Sequence, residues 1–308
     1  MSVHLPWETV IGALAEKGWS ARVVAAARLS DLHSRVAAVL ASGDLPEAAA
    51  ARIADDLSWA LPQGLAAARS VIVGAVARPL TQARLTVGGT EHAVPVPPHY
   101  AGYFTVPGGL AEAAGAALGP FGHRAVRFEP PLKTLAACAG LARYGRNNIA
   151  YVPGLGSYLM LAACASDAAP PDDAAWAKPL PLSRCERCSV CQRACPTGAI
   201  RAGRFLLETH RCLTFVNEDR APFPAWVDPS WHTCAVGCLR CQSVCPENAG
   251  VELLVDPPQV FDEQESAAIL AASGESGLTP ATLAKLELCG LDYSPDIIAR
   301  NLRALLTG

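Results

Sequence analysis

The chain carries little charge for its size. Only 17% of its 308 residues are Asp, Glu, Lys or Arg, against 51% hydrophobic. That balance excludes a disordered chain and demands a large buried core. No run of Lys or Arg stands out and the formal net charge is −3, so nothing in the charge balance points to nucleic acid. No uninterrupted apolar stretch approaches the roughly 18 residues of a membrane-spanning helix. Met1 to Pro6 lacks a basic cluster followed by an apolar core, so no secretory leader is expected. Neither G-x-G-x-x-G nor G-x4-G-K-[ST] occurs, which argues against a dinucleotide fold or a P-loop. Tandem repeats are absent.

Cysteine, by contrast, is plentiful, with twelve residues. Cys185-Glu-Arg-Cys188-Ser-Val-Cys191-Gln-Arg-Ala-Cys195-Pro196 is a C-x2-C-x2-C-x3-C-P run, the bacterial pattern for [4Fe–4S] clusters. Cys238-Leu-Arg-Cys241-Gln-Ser-Val-Cys245-Pro246 repeats it without the first cysteine. Two-residue spacings let three thiolates on one tight loop cap one face of a cubane. The Cys-Pro thiolate, one turn further on, ligates the other cluster. Cluster one is therefore expected from Cys185, Cys188, Cys191 and Cys245. Cluster two takes Cys195, Cys238, Cys241 and one more. Cys234 would complete a radical-SAM-like C-x3-C-x2-C spacing, whereas Cys212, remote in sequence, can approach from a free direction and is preferred. Cys138, Cys164 and Cys289 fall outside any ligand spacing and read as small buried residues. With eight cysteines placed as ligands, disulfides are not expected, and the chain is assigned to a reducing cytoplasm.

Around this framework the periodicity predicts helices over Trp7–Lys17, Ser20–Leu40 and Glu47–Ala60. Ser70 to Ala77 is a continuous apolar run, the pattern of a fully buried strand. Ala83–Val87 and His92–Val96 flank Gly88-Gly89-Thr90 as a hairpin. A helix follows near Gly109–Leu118, then a strand His123–Phe128, a helix Pro131–Arg143 and a strand Tyr158–Cys164. Between the last two, Tyr144-Gly-Arg-Asn147-Asn148 and Pro153-Gly-Leu-Gly-Ser157 form a glycine-rich loop. It could offer backbone N–H groups and side-chain amides to a ligand, or serve structure alone. Asp167–Pro181 reads as a linker, and Glu263–Ala272, Pro280–Leu288 and Pro295–Leu306 as a helical cap. The expected domains are a helical segment 1–60, an α/β cofactor and substrate domain 61–175, a cluster domain 176–255 and the cap 256–308.

Taken in order, Ser70-Val-Ile-Val, Tyr103, Gly140-Leu-Ala-Arg-Tyr-Gly145-Arg-Asn147, Gly156-Ser157, the Cys185 run, Arg211-Cys212-Leu-Thr, Gly237-Cys238 and Arg300-Asn301-Leu302 resemble the epoxyqueuosine reductase family, relatives of the reductive dehalogenases. The resemblance implies an α/β (α+β) fold: a nitroreductase-like cobalamin-binding domain, a two-[4Fe–4S] ferredoxin-like domain and a helical C-terminal cap. It implies base-off cobalamin held by Gly145, Arg146, Asn147, Asn148, Gly154, Gly156 and Ser157. It also supports Cys212 as the eighth ligand. An external ferredoxin or flavodoxin would reduce one cluster, and the electron would pass through the second to cobalt and substrate.

Three departures accompany the resemblance. Phe128 stands where the family has a catalytic Asp, with Glu129 one residue later. Gly102-Tyr103-Phe104 replaces Asp-Tyr-His, so Tyr103 and Glu129 are the remaining candidate proton donors. The C-terminal helical repeats of tRNA-acting members are missing, which, with the acidic charge, sets the expectation of a small-molecule substrate in preference to tRNA, and of a monomer. The competing readings are a two-cluster electron carrier and an activator that reduces the corrinoid of another protein. The cysteine framework makes the first test simple. Anaerobically prepared protein should contain about eight irons per chain, and Cys188→Ser or Cys241→Ser should each lose about half of it. Unchanged iron in either variant refutes the ligand assignment.

Overall fold

The computed structural model describes residues 6–203, 205–292 and 294–307. Met1 to Leu5, where a leader would begin, lie outside them. The chain forms two units, one of residues up to Ala77 with Phe104–Cys188, the other of Arg78–Tyr103 with residues from Ser189 onward. In chain order the elements begin α1 (Trp7–Glu16), β1 (Trp19–Ala25), α2 (Leu29–Leu40), α3 (Glu47–Asp55), β2 (Ser70–Ala77), β3 (Thr81–Val87) and β4 (Thr90–Val96). Next come α4 (Val106–Leu118), β5 (Ala125–Phe128), α5 (Leu132–Cys138), β6 (Arg143–Tyr144), β7 (Ala150–Tyr151) and β8 (Leu159–Ser166). The last are α6 (Val190–Ala194), α7 (Leu213–Asn217), α8 (Arg240–Ser243), β9 (Gln259–Phe261), α9 (Glu263–Ala271), α10 (Pro280–Leu288) and α11 (Pro295–Thr307).

The first unit is built on β2. Its apolar run is buried on both faces because side chains alternate across a strand and helices cover each side. Val71, Val73 and Ala75 join one core with Leu135, Ala136 and Leu141 around α5. Ile72 joins another with Leu14, Trp19, Leu110 and Leu118 from α1, β1 and α4. The sheet runs β1-β2-β8-β5 with every pairing antiparallel. This is the mixed helix-and-strand architecture expected.

Two local expectations are corrected. Ser20–Ala25 is strand, not helix, and α2 begins only at Leu29. Trp19, Ala21 and Val23 point inward while Arg22 is exposed, and the segment pairs with β2 from Trp19 opposite Val76 to Ala25 opposite Ser70. Ladder bonds to a buried strand outweigh the modest helix preference of alanine. The helix expected over Pro131–Arg143 stops at Cys138, since Gly140 at φ 70° turns the chain into β6. Asp167–Pro181, expected as a linker, is stitched into this unit. Trp176 Nε1 donates to Asp31 Oδ2 at 2.7 Å, and Ala177 N to the Cys138 carbonyl at 3.0 Å.

In the second unit the expected hairpin is β3 and β4, turning at Gly88 and Gly89 with φ 59° and 74°. Both glycine N–H groups donate to the Glu263 carboxylate, at 2.7 and 3.0 Å. β9 adds in parallel to β3, completing the order β4-β3-β9. The three C-terminal helices form as expected, α9 behind an Asp262/Glu265 capping box and α10 behind Thr279. Leu85, Val94, Phe261, Ile269, Leu286, Ile298 and Leu302 form this unit's core. Among the described residues no helix is long and apolar enough to cross a membrane.

Gly74, in the middle of β2, explains itself. A Cβ there would sit 3.0 Å from Leu110 Cδ1 and 3.0 Å from Trp19 Cε3, so the glycine makes room for the indole. Gly74→Val should overpack this core and cost about 1–3 kcal/mol, read as a lowered denaturation midpoint with an unchanged slope.

Candidate metal centre

Among the described residues no disulfide joins any of the twelve cysteines. In the second unit the chain brings Cys195, at the end of α6, together with Cys212, before α7, and Cys238, just ahead of α8. Burial raises the Cys238 thiol to about 12, and the neighbouring Cys234, Cys212 and Cys195 push in the same direction. Burial also raises Cys212, with Cys195 adding to it, while N–H groups of Phe215 and Thr214 reach the Cys212 sulfur and oppose the shift. Thiols gathered this way resist ionising together. A positively charged iron cluster is the partner that would make them thiolates. Among the described residues no three His, Cys, Asp or Glu side chains close on a single ion. A cubane needs its ligands around a volume rather than a point. The C-x2-C spacing adds Cys241, on α8 three positions beyond Cys238, and four thiolates so supplied are the donor set of a cluster.

Cys212 faces both Cys195 and Cys238. Cys234 lies on the Cys238 side, wholly buried, 3.7 Å from the Thr233 hydroxyl and in reach of the Leu239 N–H. Both Cys212 and Cys234 therefore neighbour Cys238, and what distinguishes Cys212 is that it also neighbours Cys195.

The scaffold of this set comes from α11. Asn301 Nδ2 donates to the carbonyls of Asn217 and Ala235, both at 3.0 Å, bridging the end of α7 to the Cys238 loop. Arg300 donates to Val216 and Asn217 carbonyls at 3.1 and 3.2 Å and stacks 4.2 Å from the Phe223 ring. Asn217 Nδ2 then reaches the Gly237 carbonyl at 2.9 Å. Gly237, at φ 67°, has no room for a side chain, since a Cβ would lie 2.7 Å from the Tyr100 hydroxyl. Tyr100 donates a short hydrogen bond to Glu218. Burial, then the Glu218 carboxylate, holds its phenol well above the usual range and so protonated. The resemblance included Arg300-Asn301, but nothing in the sequence said what those side chains hold. Tyr100 and Glu218 gave no signal at all.

Of the first set, Cys185 lies in a 3-10 turn over Ser183–Glu186, and Cys191 is buried in α6. Cys245 closes α8, its N–H on the Gln242 carbonyl at 3.1 Å. α6 and α8 pack on one another, as two related cysteine runs should. In the first unit Arg146 N–H donates to Cys185 Sγ at 3.4 Å, and its guanidinium to the Cys185 carbonyl.

The glycine-rich loop divides its groups. Asn147 is buried and donates to the Tyr151 hydroxyl at 2.9 Å, while Gly156 N and Leu155 N close a turn on the Val152 carbonyl. Gly145, Gly156 and Ser157 are buried with it. Asn148, at φ 59°, is half-buried, and Gly154, at φ 82°, is exposed with open space where a Cβ would be. Those two positions, an amide and a bare backbone, fit the amide-edged rim of a corrinoid. Of the candidate proton donors, Tyr103 is 55% exposed. Glu129 forms an ion pair with Arg127, which also donates to the Phe104 carbonyl at 2.8 Å. Phe128 is buried in the core, and with Arg127, Glu129, Ser58, Ala60 and Pro62 it lines a cleft of about 250 Å³.

The brace yields a sharp expectation. Asn301→Ala takes its amide partner from the Ala235 carbonyl, at about 1–3 kcal/mol, and leaves the Asn217 carbonyl to Arg300 alone, so it should lose cluster two while cluster one persists in the electron paramagnetic resonance spectrum. Cys212→Ser should do the same and Cys234→Ser should not. The reverse pattern exchanges their roles.

Residues 184–248 match the 4Fe-4S double cluster binding domain family, which supports two [4Fe–4S] clusters. Epoxyqueuosine reductases from Pseudomonas aeruginosa and Staphylococcus aureus are 35% and 32% identical over 142 and 120 residues. Those alignments take in 45% and 39% of this chain but only 38% and 30% of the relatives, so the chain spans well under half of their length. The fold agrees much further. The epoxyqueuosine reductase of Streptococcus thermophilus superposes with a TM-score of 0.67 at 18% identity, covering 98% of this chain and 81% of that one. An epoxyqueuosine reductase solved with an epoxyqueuosine-modified tRNA stem loop gives 0.64 at 19% identity, covering 97% and 80%. These relatives overturn the expectation of a small-molecule substrate in preference to tRNA. That expectation leaned on the missing C-terminal repeats and on the net charge, which averages over the whole chain and does not say where its arginines lie. In sequence and in fold, this chain is a relative of the epoxyqueuosine reductases that carries a 4Fe-4S double cluster domain.

Proposed function

We propose that the chain is an iron–sulfur reductase that passes electrons through two [4Fe–4S] clusters to a base-off corrinoid, and on to an epoxide-bearing nucleoside in a tRNA stem loop. The observation that carries this reading is the segment 184–248, eight of whose nine cysteines are placed as ligands, on a fold shared with epoxyqueuosine reductases over 98% of the chain. Removing an epoxide oxygen as water consumes two electrons and two protons. Two clusters, each a one-electron carrier, match that demand from a one-electron donor. A bound corrinoid would supply a low-valent cobalt able to deliver both electrons at one centre. Its edge would rest on the Asn148 amide and the Gly154 backbone.

The chain's own residues exclude water and handle protons. Phe128 closes the core at the position the resemblance gives to an Asp, keeping that face apolar. Tyr103 and Glu129 are the candidate replacements: Glu129 carries an ion pair with Arg127, and Tyr103 is more than half exposed. The same observation favours the competing reading, in which the chain has lost its proton donor and serves as a two-cluster carrier or as an activator of another corrinoid protein.

Anaerobic protein offered cobalamin separates these. The reductase reading expects a base-off cob(II)alamin signal and deoxygenation of an epoxyqueuosine-modified stem loop, with Tyr103→Phe slowing it about 10²–10⁴-fold. Eight irons with free, base-on cobalamin and no turnover would leave the carrier.

A further inference from the structure

The cofactor loop and the first cysteine run meet at one residue. Tyr144 N donates to the Leu180 carbonyl at 3.2 Å, and Leu182 N to the Tyr144 carbonyl at 2.8 Å, so the loop and residues 180–185 run side by side. This register delivers Arg146 to Cys185 twice, through its backbone N–H on Sγ at 3.4 Å and through its guanidinium on the carbonyl. We propose that Arg146 is a positioning residue that couples the Gly145–Ser157 loop to the first cluster, so that a ligand seated on the loop shifts that cluster's reduction potential. The proposal rests on the reading above, in which Cys185 ligates that cluster.

The loop cannot readily turn the N–H away. A Cβ at Gly145 would meet Asn147 Oδ1 and the Tyr151 ring, so the chain there is packed to the backbone. Gly145 N is tied to the Ile149 carbonyl at 2.9 Å, Asn148 N to the Gly145 carbonyl at 2.9 Å, and Asn147 Nδ2 to the Tyr151 hydroxyl at 2.9 Å. Asn148 completes the tight turn in the left-handed region. Arg146 is therefore held between two fixed neighbours, and its peptide N–H is directed at sulfur.

The physics gives a sign. One electron added to a [4Fe–4S] cluster spreads negative charge onto its sulfurs. An N–H···S bond stabilises that reduced state and raises the potential. The positive guanidinium acts in the same direction. Asn148 and Gly154, the two loop positions open to a ligand, are joined to Arg146 through this short, bonded turn. A ligand seated there excludes water beside this fixed turn, so the Arg146 N–H and guanidinium act on Cys185 less screened, and the potential moves without the loop moving. By linkage, reduction of the cluster changes ligand affinity by the same factor.

The experiment is an anaerobic redox titration of the full chain, followed by electron paramagnetic resonance, with and without hydroxocobalamin as the loop ligand. Wild-type protein should show the first cluster shifting on addition and the second unchanged. Arg146→Pro, which removes the N–H, should move the first cluster to a more negative potential while the second stays put and iron remains about eight per chain. Arg146→Ala, which keeps the N–H and removes the guanidinium, should move it less and blunt the response to cobalamin; Arg146→Lys should restore part of it. Potentials and cobalamin response alike in wild type, Arg146→Ala and Arg146→Pro, at full iron, overturn the proposal. Where Arg146→Pro loses iron, an unmoved Arg146→Ala overturns it alone. Cys185→Ser with both clusters intact fails the underlying ligand reading instead.

Discussion

Gathering cysteine thiolates out of water is the constraint on which the second unit depends. Cys195, Cys212 and Cys238 come together, and burial with the neighbouring thiols raises the Cys212 and Cys238 thiols' reluctance to ionise. Without a cation among them the arrangement opposes itself. It therefore has to be imposed by groups that are not ligands. Asn301 and Arg300 impose it from α11, and Asn217 from α7, each by satisfying backbone carbonyls beside a cysteine. Tyr100 fills the space that Gly237 leaves, so even the approach of the Cys238 turn is fixed by a side chain from far upstream.

The first unit meets a different demand. Its antiparallel sheet is apolar on both faces, and α1 with α4, then α5 with α2, cover them. The glycine-rich loop turns about a separate two-stranded ladder, β6 with β7, and continues past it to β8. Most of the loop's hydrogen-bonding groups are spent within it, leaving Asn148 and Gly154 outward. Chemistry on a large flat ligand benefits from such a rim, since few groups need ordering when the ligand arrives.

What could be read from the sequence follows the range of the forces involved. Cluster ligation needs fixed local spacings, so the Cys185 and Cys238 runs were legible outright. The buried strand at Ser70–Ala77, the hairpin and the three last helices were legible because patterning and turn glycines are also local. β1 was not. Its inward set of Trp19, Ala21 and Val23 is only a few residues long, and the alanines around it suggested helix until β2 supplied a ladder. The Asn301 brace was invisible because its partners lie 84 and 66 positions away. The Arg127–Glu129 pair was missed for the opposite reason: two charges two apart on a strand face the same side, but the sequence does not say which side is solvent. The substrate expectation failed because a net charge has no address.

The position of Asn301 in the chain also sets an order of events during synthesis. Fifty-six residues separate it from Cys245, so every cysteine of both runs leaves the ribosome before the side chain that ties α7 to the Cys238 loop. At bacterial or eukaryotic elongation speeds of about 5–20 residues per second, that interval is about 3–11 seconds. Through it, the thiols of the second set are present, reduced and unbraced. Iron delivered in that window meets ligands on loose segments, and iron delivered afterwards meets a preformed socket. α11 is thus the last part of that brace to emerge, and a nascent chain stalled short of it would display its thiols to oxidants before Asn301 could tie α7 to the Cys238 loop.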